Sequence, residues 1–350
     1  MRVAVYYSNQ DVRLEERPVP PVGPGEALIR VEACGICGSD VLEWYRLAKA
    51  PLVLGHEVAG VISAVGGWVE QVKVGDRIAA NHHVPCNTCH YCINGHHTLC
   101  DTLRRTSFDP GGFAEYVRLP AINVDRGIYP LPEGVSFEEG TFVEPLACAV
   151  RGQRLANLRP GKSVLVIGSG IAGLLHIQLA CALGAGRVLA TDVATYRLEA
   201  VRRFGAYALD AREATPERVR ELNDGRLADV VIVCTGAREA VLQALELVER
   251  GGTVLLFGMV EPDTVISLLL FNIMHNGITI TTSYANTRED AVIALKLIQE
   301  RRVRVGEMIT HRLGLAETGL GFQLVSRARD CLKVIVQPQR YQASAEALGG

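Results

Sequence analysis

The sequence of 350 residues has no long uninterrupted hydrophobic run, although 48% of its residues are hydrophobic. The longest apolar stretch, SVLVIGSGIAGLLHIQLACALGA, is broken by glycines and polar residues, which excludes a membrane-spanning helix of the usual kind. The N-terminus MRVAVYYSNQDVRLEE is charged and alternating, without the apolar core of a secretory signal. We therefore expect a cytoplasmic protein with no membrane partner.

An excess of charge of either sign is also missing. Lysine and arginine number 36 against 38 acidic residues, a formal net charge of -2. This balance gives no general attraction to nucleic acid, so we expect no nucleic-acid partner. The chain is too apolar for disorder and long enough for two domains.

Ten cysteines are present, but a reducing compartment argues against five disulfides. Four of them crowd between residues 86 and 100. Four others are scattered among apolar neighbours and are expected to be small buried side chains: Cys148, Cys181, Cys234 and Cys331.

The hydrophobic pattern of the sequence changes between the first and the second part of the chain. Up to about residue 125, short β-branched runs with frequent glycine predict a mostly β domain. From about residue 160, strand patterns (SVLVIG, RVLATD, DVVIVCT, TVLLFG) alternate with helical ones, which predicts an α/β domain with a doubly wound parallel sheet. The closing elements are expected to return to the first domain, and the polar tail QRYQASAEALGG is expected to fray.

A glycine fingerprint lies between the first of these strands and its helix. Gly168, Gly170 and Gly173 form G-x-G-x-x-G, where the glycines allow a tight turn, close approach of a pyrophosphate and close packing of the helix. The diphosphate then lies at the helix N-terminus. A glycine-rich turn without a ligand is the alternative.

Asp192 ends the next strand, where a carboxylate accepts hydrogen bonds from ribose hydroxyls and repels a 2'-phosphate. NAD is therefore favoured over NADP, although Arg197 lies five residues further on. The predicted cofactor-binding residues are Gly168, Gly170, Ala172, Gly173, Asp192 and Arg197.

The cysteine-rich segment PCNTCHYCINGHHTLC has the spacing C-x2-C-x2-C-x7-C. Four thiolates in a polar loop fit a closed tetrahedral zinc site that holds the loop in place. An iron-sulfur cluster is the alternative, and the histidines of this segment are left out of the ligand set. The predicted structural zinc ligands are Cys86, Cys89, Cys92 and Cys100.

A dispersed set combines a thiolate, an imidazole and two carboxylates. Cys37 lies in GICGSD, His56 and Glu57 in LGHEVAG, and Glu144 in FVEPLACAV. Such donors suit a zinc ion that keeps one position open for water or substrate. Taken alone, a buried histidine or glutamate is structural more often than it is a ligand.

Together these motifs resemble the zinc-containing medium-chain dehydrogenase/reductase superfamily, and the branch is similar to sorbitol (polyol) and threonine dehydrogenases. The resemblance covers nearly the whole chain. It implies a GroES-like catalytic domain at 1–148 with the structural zinc lobe at 86–100, an NAD-binding Rossmann domain at 149–285, and a return to the catalytic domain at 286–350. It also implies an active cleft between the two domains.

The resemblance assigns roles to single residues. It implies that Cys37 and His56 bind a catalytic zinc and that Glu57 and Glu144 lie at or near it, leaving open which glutamate is bound. Ser39 matches the hydroxyl residue that passes on the alcohol proton. The family's relay histidine is replaced here by Leu42, and nearby Glu43 is one candidate substitute.

These inferences predict a zinc- and NAD-dependent dehydrogenase with two zinc ions per chain and a small-molecule alcohol substrate. A secondary alcohol of a polyol, cyclitol or sugar-like molecule is favoured, with threonine or a simple secondary alcohol as the alternative. A non-catalytic zinc-stabilised nucleotide-binding protein and a zinc-free quinone-type reductase are further alternatives. The apolar segment LLLFNIMHNGITITTSY predicts a homo-oligomer. The family resemblance implies a dimer or a tetramer, with the tetramer more common in this branch.

Overall fold

A computed structural model describes residues 1–340 of the chain. They form two compact units, Met1–Glu144 together with the chain from Val305 onward, and Pro145–Arg304. Of the tail that was expected to fray, all but the first two residues lie outside the described part. Those two residues are hydrogen-bonded, for example Gln339 Nε2 to the carbonyl oxygen of Glu115 at 3.0 Å.

The described residues contain sixteen strands. They are β1 (Arg2–Ser8), β2 (Asp11–Glu16), β3 (Ala27–Gly35), β4 (Leu52–Val53), β5 (Glu57–Val65), β6 (Arg77–Ala80), β7 (Tyr116–Leu119), β8 (Ile128–Pro130), β9 (Val164–Ile167), β10 (Val188–Asp192), β11 (Tyr207–Asp210), β12 (Ala228–Val233), β13 (Val248–Leu256), β14 (Thr279–Thr282), β15 (Ile309–Gly314) and β16 (Lys333–Gln337).

The same residues contain thirteen α-helices, several of them a single turn. They are α1 (Glu43–Arg46), α2 (His90–Ile93), α3 (Asp101–Arg105), α4 (Ala121–Arg126), α5 (Phe137–Gly140), α6 (Val143–Leu155), α7 (Ile171–Ala182), α8 (Thr195–Arg203), α9 (Pro216–Leu222), α10 (Arg238–Leu247), α11 (Leu270–His275), α12 (Arg288–Gln299) and α13 (Thr318–Arg327). None of them is both long and apolar enough to cross a bilayer.

The first unit is built on a seven-stranded sheet of order β15-β16-β3-β5-β6-β8, with β7 also paired to β3. A three-stranded sheet of order β2-β1-β4 accompanies it. Buried aliphatic and aromatic side chains form one core, which includes Tyr6 of β1, Phe113 of the loop before β7 and Phe322 of α13. This unit is the mostly β domain that the sequence predicts.

Strand register at the centre of this sheet brings distant residues together. The end of β3 pairs with the start of β5, so that Gly35 lies opposite Glu57. On its other side β3 pairs with β16, where Gly35 lies opposite Ile335. Residues near 35, 57 and 333 therefore become neighbours although they are far apart in the chain.

The second unit contains a six-stranded, fully parallel sheet of order β11-β10-β9-β12-β13-β14. Numbered from β9, this order is 3-2-1-4-5-6, the Rossmann arrangement. Helices alternate with the strands along the chain. The α/β fold class, with a Rossmann sheet and a mostly β GroES-like unit, is confirmed.

Some boundaries differ from the sequence-based expectation. Residues 286–304, expected in the catalytic domain, lie in the second unit. There Asp290 on α12 forms an ion pair with Arg154 at 2.9 Å, while Ala291 and Ala294 are buried. The four-residue strand β11 was not foreseen, and Cys181 is exposed rather than buried.

Candidate functional site

Cys37, His56 and Glu57 come together at one end of the central sheet of the first unit. One donor atom from each lies within 4.8 Å of the others. Cys37 follows β3 and starts a short 3-10 turn at Gly38–Val41, whereas Glu57 is the first residue of β5. A soft thiolate, an imidazole and a carboxylate at this separation fit zinc.

Asp40 orients the histidine of this group. Its carboxylate is fully buried and lies 3.4 Å from Nδ1 of His56, while its second oxygen accepts the N–H of Cys37 at 3.1 Å. Burial opposes the charge of Asp40, but His56 and Arg46 together lower the pKa of that carboxyl. An imidazole held by a carboxylate at Nδ1 keeps Nε2 for a metal, which is the usual arrangement of metal-binding histidines.

Glu57 shares a buried ion pair with Lys333 at the start of β16. Oε2 of Glu57 is hydrogen-bonded to Nζ of Lys333, and both side chains are fully buried. Gly35 leaves room for this pair, since a Cβ there would lie 2.0 Å from Oε2 of Glu57. Among residues 1–340, Oε1 of Glu57 has no hydrogen-bond partner although it is buried, and a buried carboxylate oxygen without a donor fits a site that binds a cation.

Glu144 lies in the first turn of α6 and is buried. It is not among the residues whose donor atoms converge within 4.8 Å in the described chain. The structure therefore brings together three of the four residues named for the catalytic zinc, with Glu57 as the converging carboxylate. That Glu144 lies at or near the metal remains a prediction.

Ser39 lies next to Cys37, with its Oγ 3.4 Å from Sγ of that cysteine. Its neighbour is Arg46 of α1, whose Nη2 donates to Oγ of Ser39 at 3.2 Å. Glu43, the substitute considered for the missing relay histidine, instead accepts the N–H of Asn9 at 3.0 Å. Arg46 was not predicted from the sequence, because nothing in the sequence of a single-turn helix indicates which of its side chains contacts the preceding residues.

Two further histidines pack against the ligand histidine. The ring of His82 lies 4.8 Å from that of His56, and the ring of His83 lies 3.8 Å from that of His82. Burial is the main cause that lowers the pKa of His82 well below its usual value and that of His83 to about 4. Both imidazoles are therefore neutral at neutral pH. The adjacent HH pair was the only sequence signal for them.

The four cysteines of the 86–100 segment converge as a second group, with one Sγ from each within 4.8 Å of the others. Cys86 and Cys100 are 3.6 Å apart, as are Cys89 and Cys92. Hydrogen bonds from Thr88 lower the pKa of Cys86 to about 5, which favours the thiolate. Four sulfur donors and no histidine in the group fit a closed structural zinc site.

The nucleotide fingerprint of the second unit turns sharply between β9 and α7. Gly168 has φ +90°, and a Cβ on Gly173 would lie 2.0 Å from the carbonyl oxygen of Gly168. Gly170 caps α7, and around a Cβ built there the nearest atoms, those of Arg197, are 3.9 Å away. The space above Gly170 can therefore admit a pyrophosphate, and Ala172 lies in the first turn of α7.

Asp192 ends β10 beside this turn and is buried. Its carboxylate accepts the N–H of Ser169 at 2.8 Å and that of Ala194 at 3.0 Å, and lies 3.4 Å from Nη1 of Arg197. A cavity of about 280 Å³ opens at the carboxyl ends of β12, β13 and β14, lined in part by Thr235 and Phe257. This is the edge of a Rossmann sheet where dinucleotides bind.

Comparison with known proteins agrees with this architecture. Residues 23–133 match the family described as "Alcohol dehydrogenase GroES-like domain", and residues 172–300 match "Zinc-binding dehydrogenase". A probable D-xylulose reductase A of Aspergillus clavatus is 34% identical over 333 residues, 91% of each chain. The sorbitol dehydrogenase of Bacillus subtilis is 31% identical, covering 97% of this chain and 98% of that protein.

A similar solved structure supports the same family assignment. A short chain alcohol dehydrogenase from Escherichia coli CFT073, complexed with NADH, has a TM-score of 0.85 at 27% identity. The match covers 96% of this chain and 99% of that one. The chain therefore belongs to the zinc-containing medium-chain dehydrogenase/reductase superfamily, in its polyol dehydrogenase-like branch, and is a zinc-dependent oxidoreductase that uses NAD(H).

Proposed function

We propose that the protein oxidises a secondary alcohol of a polyol, cyclitol or sugar-like molecule with NAD, at the group formed by Cys37, His56 and Glu57. The observation that carries the proposal is this convergent donor set. It occurs in a chain similar over most of its length to proteins named sorbitol dehydrogenase and D-xylulose reductase. A hydroxy amino acid or simple secondary alcohol is the second candidate substrate.

Zinc at this group supplies Lewis-acid polarisation of the alcohol oxygen, and NAD accepts the hydride. Cys37 and His56 would hold the metal, and Asp40 would fix the orientation of the imidazole through Nδ1. Glu57 offers its unpartnered oxygen while Lys333 holds the other one. Ser39 places a hydroxyl beside Cys37, where it can hydrogen-bond the reacting alcohol.

In the second unit, Gly168, Gly170, Ala172 and Gly173 form the pyrophosphate turn of the proposed NAD site. Asp192 offers its carboxylate to the adenosine ribose, and Arg197 flanks it. A 2'-phosphate on the ribose would lie against this carboxylate, which supports NAD over NADP.

The substrate class is tested by incubating the zinc-loaded protein with NAD and a panel of polyols, cyclitols, sugars and amino alcohols. NADH formation is followed by absorbance. We expect the highest kcat/KM with a vicinal secondary alcohol of a polyol. A preference for threonine or for a primary alcohol would overturn the substrate assignment, while leaving the metal site to be tested separately.

We also propose that the protein forms a homo-oligomer, a dimer or a tetramer, through one face of the second unit. This face carries exposed apolar side chains around the edge strand β14, including Leu269, Phe271 and Met274. An edge strand flanked by such side chains is normally covered by another chain. Phe271→Asp should reduce the mass measured by light scattering, whereas Val193→Asp, also at an exposed apolar position, should not. An unchanged mass for Phe271→Asp would contradict this interface.

A cytoplasmic location is proposed on the same footing, because the cluster at residues 86–100 needs four reduced thiols, which a reducing compartment maintains. The division into a catalytic and an NAD-binding domain also remains a proposal. The family pattern puts the catalytic domain at 1–148 and 286–350 and the NAD-binding domain at 149–285, whereas the compact units divide after Glu144 and after Arg304.

A further inference from the structure

Arg46 binds back onto the residues that follow the metal cysteine. Its Nε donates to the carbonyl oxygen of Ser39 at 2.9 Å, and its Nη2 donates to Oγ of Ser39 at 3.2 Å. The same Nη2 lies 3.2 Å from Oδ1 of Asp40. The side chain is only 13% exposed, so the guanidinium is part of the site and not a solvated surface group.

The chemistry of this contact differs from that of the histidine expected at position 42. An imidazole can accept a proton from a serine hydroxyl, but a guanidinium is a donor with no acceptor and stays charged at all working pH values. The N–H of Arg46 occupies a lone pair on Oγ of Ser39, which leaves the hydroxyl hydrogen to be donated elsewhere. In the structure the hydroxyl of Ser39 donates toward Sγ of Cys37, 3.4 Å away, and thus toward the proposed metal group.

The same guanidinium also fixes the carboxylate behind the ligand histidine. Asp40 is fully buried and lies between Arg46 and Nδ1 of His56. One side chain thereby connects the hydroxyl beside Cys37 to the group that orients His56. A forked donor is suited to this task because it holds several oxygens in fixed directions at once.

We propose that Arg46 is a positioning residue that holds the Ser39 hydroxyl as a hydrogen-bond donor toward the reacting alcohol, in place of a proton-relay histidine. Ser39 then donates its hydrogen bond to the substrate oxygen as the O–H bond of the alcohol breaks, and the alcohol proton passes to a solvent water and not to residue 42 or Arg46. This inference rests on the catalytic role proposed above for Cys37 and Ser39.

Four variants test it: Arg46→Met, Arg46→Lys, Ser39→Ala and the double variant Arg46→Met/Ser39→Ala. We expect Arg46→Met to lower kcat by about 100-fold, the cost of a misplaced catalytic group, with KM little changed. Arg46→Lys keeps the charge but not the fork and should be intermediate. In the Ser39→Ala background, Arg46→Met should have little further effect, because its target hydroxyl is gone.

Arg13→Met is the matched control. Arg13 also pairs with a carboxylate, Asp11, and lies over a tyrosine ring at 4.2 Å, as Arg46 does over Tyr45 at 4.6 Å. These two partners, Asp11 and Tyr7, lie outside the group of Cys37, His56 and Glu57. Arg13→Met should keep the wild-type kcat. A fifth variant, Arg46→Ala, leaves space for a guanidinium ion, and adding that ion should restore its activity but not that of Ser39→Ala.

A readout without metal or turnover is the Ser39 side-chain conformation in crystal structures of the metal-free proteins. One rotamer is expected in the wild type and in Arg13→Met, and more than one in Arg46→Met. A single unchanged rotamer in Arg46→Met, or multiplicative losses of kcat in the double variant, would overturn the proposed role of Arg46. Full activity of both Cys37→Ser and Ser39→Ala would instead show that the proposed site itself is wrong.

Discussion

At the scale of single residues, the ion pair between Glu57 and Lys333 has the strongest energetic consequence. Both side chains are fully buried, and Nζ of Lys333 also donates to the carbonyl oxygen of Ile36 at 3.2 Å. Burial opposes the charge on Lys333, but Glu57 raises the pKa of its ammonium group. Removing one partner leaves the other charge buried and uncompensated, which costs more than the pair gains.

Lys333→Met should therefore destabilise the first unit of the metal-free protein by about 3–5 kcal/mol. Adding Glu57→Gln should recover much of this loss, because no buried charge then remains. Both tryptophans, Trp44 and Trp68, lie in the first unit, so their fluorescence during urea unfolding reports on it. A single variant as stable as the wild type would contradict this reading of the pair.

His176 on α7 is a second buried titratable residue, in the second unit. Nε2 of Gln153 donates to its Nδ1 at 3.2 Å, and the ring meets the Phe257 ring edge-on at 4.4 Å. Burial lowers the pKa of His176 to about 3. The folded protein therefore keeps this imidazole neutral at pH values where the unfolded chain protonates it.

This difference predicts a loss of stability in mild acid. Above the unfolded pKa of 6.5 both states are neutral and stability is complete. As the pH falls toward 3, the unfolded state binds one more proton and the unfolding free energy decreases. Between pH 7 and 5 the wild type should lose about 2 kcal/mol more than His176→Gln in urea unfolding followed by circular dichroism. Equal losses in the two proteins would contradict the assigned pKa.

At the scale of elements, two glycines of the turn between β9 and α7 serve different purposes, one in folding and one in cofactor binding. Gly173 is needed by the fold itself, because a Cβ there would overlap the carbonyl oxygen of Gly168. Gly170 is different, since its Cβ position is open in the protein and would be blocked only by a bound pyrophosphate. The two positions distinguish folding from cofactor binding.

Gly170→Ala should weaken NADH binding while changing the unfolding free energy by less than about 0.5 kcal/mol. Gly173→Ala should weaken binding and also destabilise the second unit by about 1–3 kcal/mol through overpacking. NADH titration followed by fluorescence and urea unfolding measure the two effects. Wild-type affinity in Gly170→Ala would show that the pyrophosphate does not lie above this residue.

The Rossmann elements were readable from the sequence because their signals are local. The strands β9, β10 and β12 match apolar runs, and the glycine turn follows directly. The helix α10 ends at Leu247, although its pattern continued to Arg250, because the following residues join β13.

The sequence motifs predicted the donor residues of the metal group but not the contacts that hold them in place. Cys37 and Glu57 meet through the register of β3 with β5, which no single motif encodes. Lys333 carried a signal, a lysine inside the apolar run CLKVIV, but its partner is 276 residues away. The contact of Arg46 with Ser39 depends on the conformation of a short loop, which the sequence does not reveal. Leu42 therefore showed that the relay histidine of the family is missing, but not which residue contacts Ser39 instead.

At the scale of the whole molecule, the chain divides its chemistry between the two units. The first unit carries both candidate zinc groups, and the second carries the nucleotide turn. Four sulfur donors would fill a tetrahedral zinc shell, as in structural sites, whereas the three donors of Cys37, His56 and Glu57 would leave one coordination position for substrate. The two metal groups should therefore respond independently to substitution.

The most direct measurement is the zinc content per chain of the purified wild type and of Cys37→Ser, each with its NADH-forming activity. We expect about two zinc ions in the wild type and about one in Cys37→Ser, which should be inactive yet folded. Cys92→Ser, which removes a ligand of the other group, is the matched comparison and should lose stability. About one zinc ion per chain in the wild type, or an active Cys37→Ser with unchanged zinc content, would contradict the assignment of the catalytic metal.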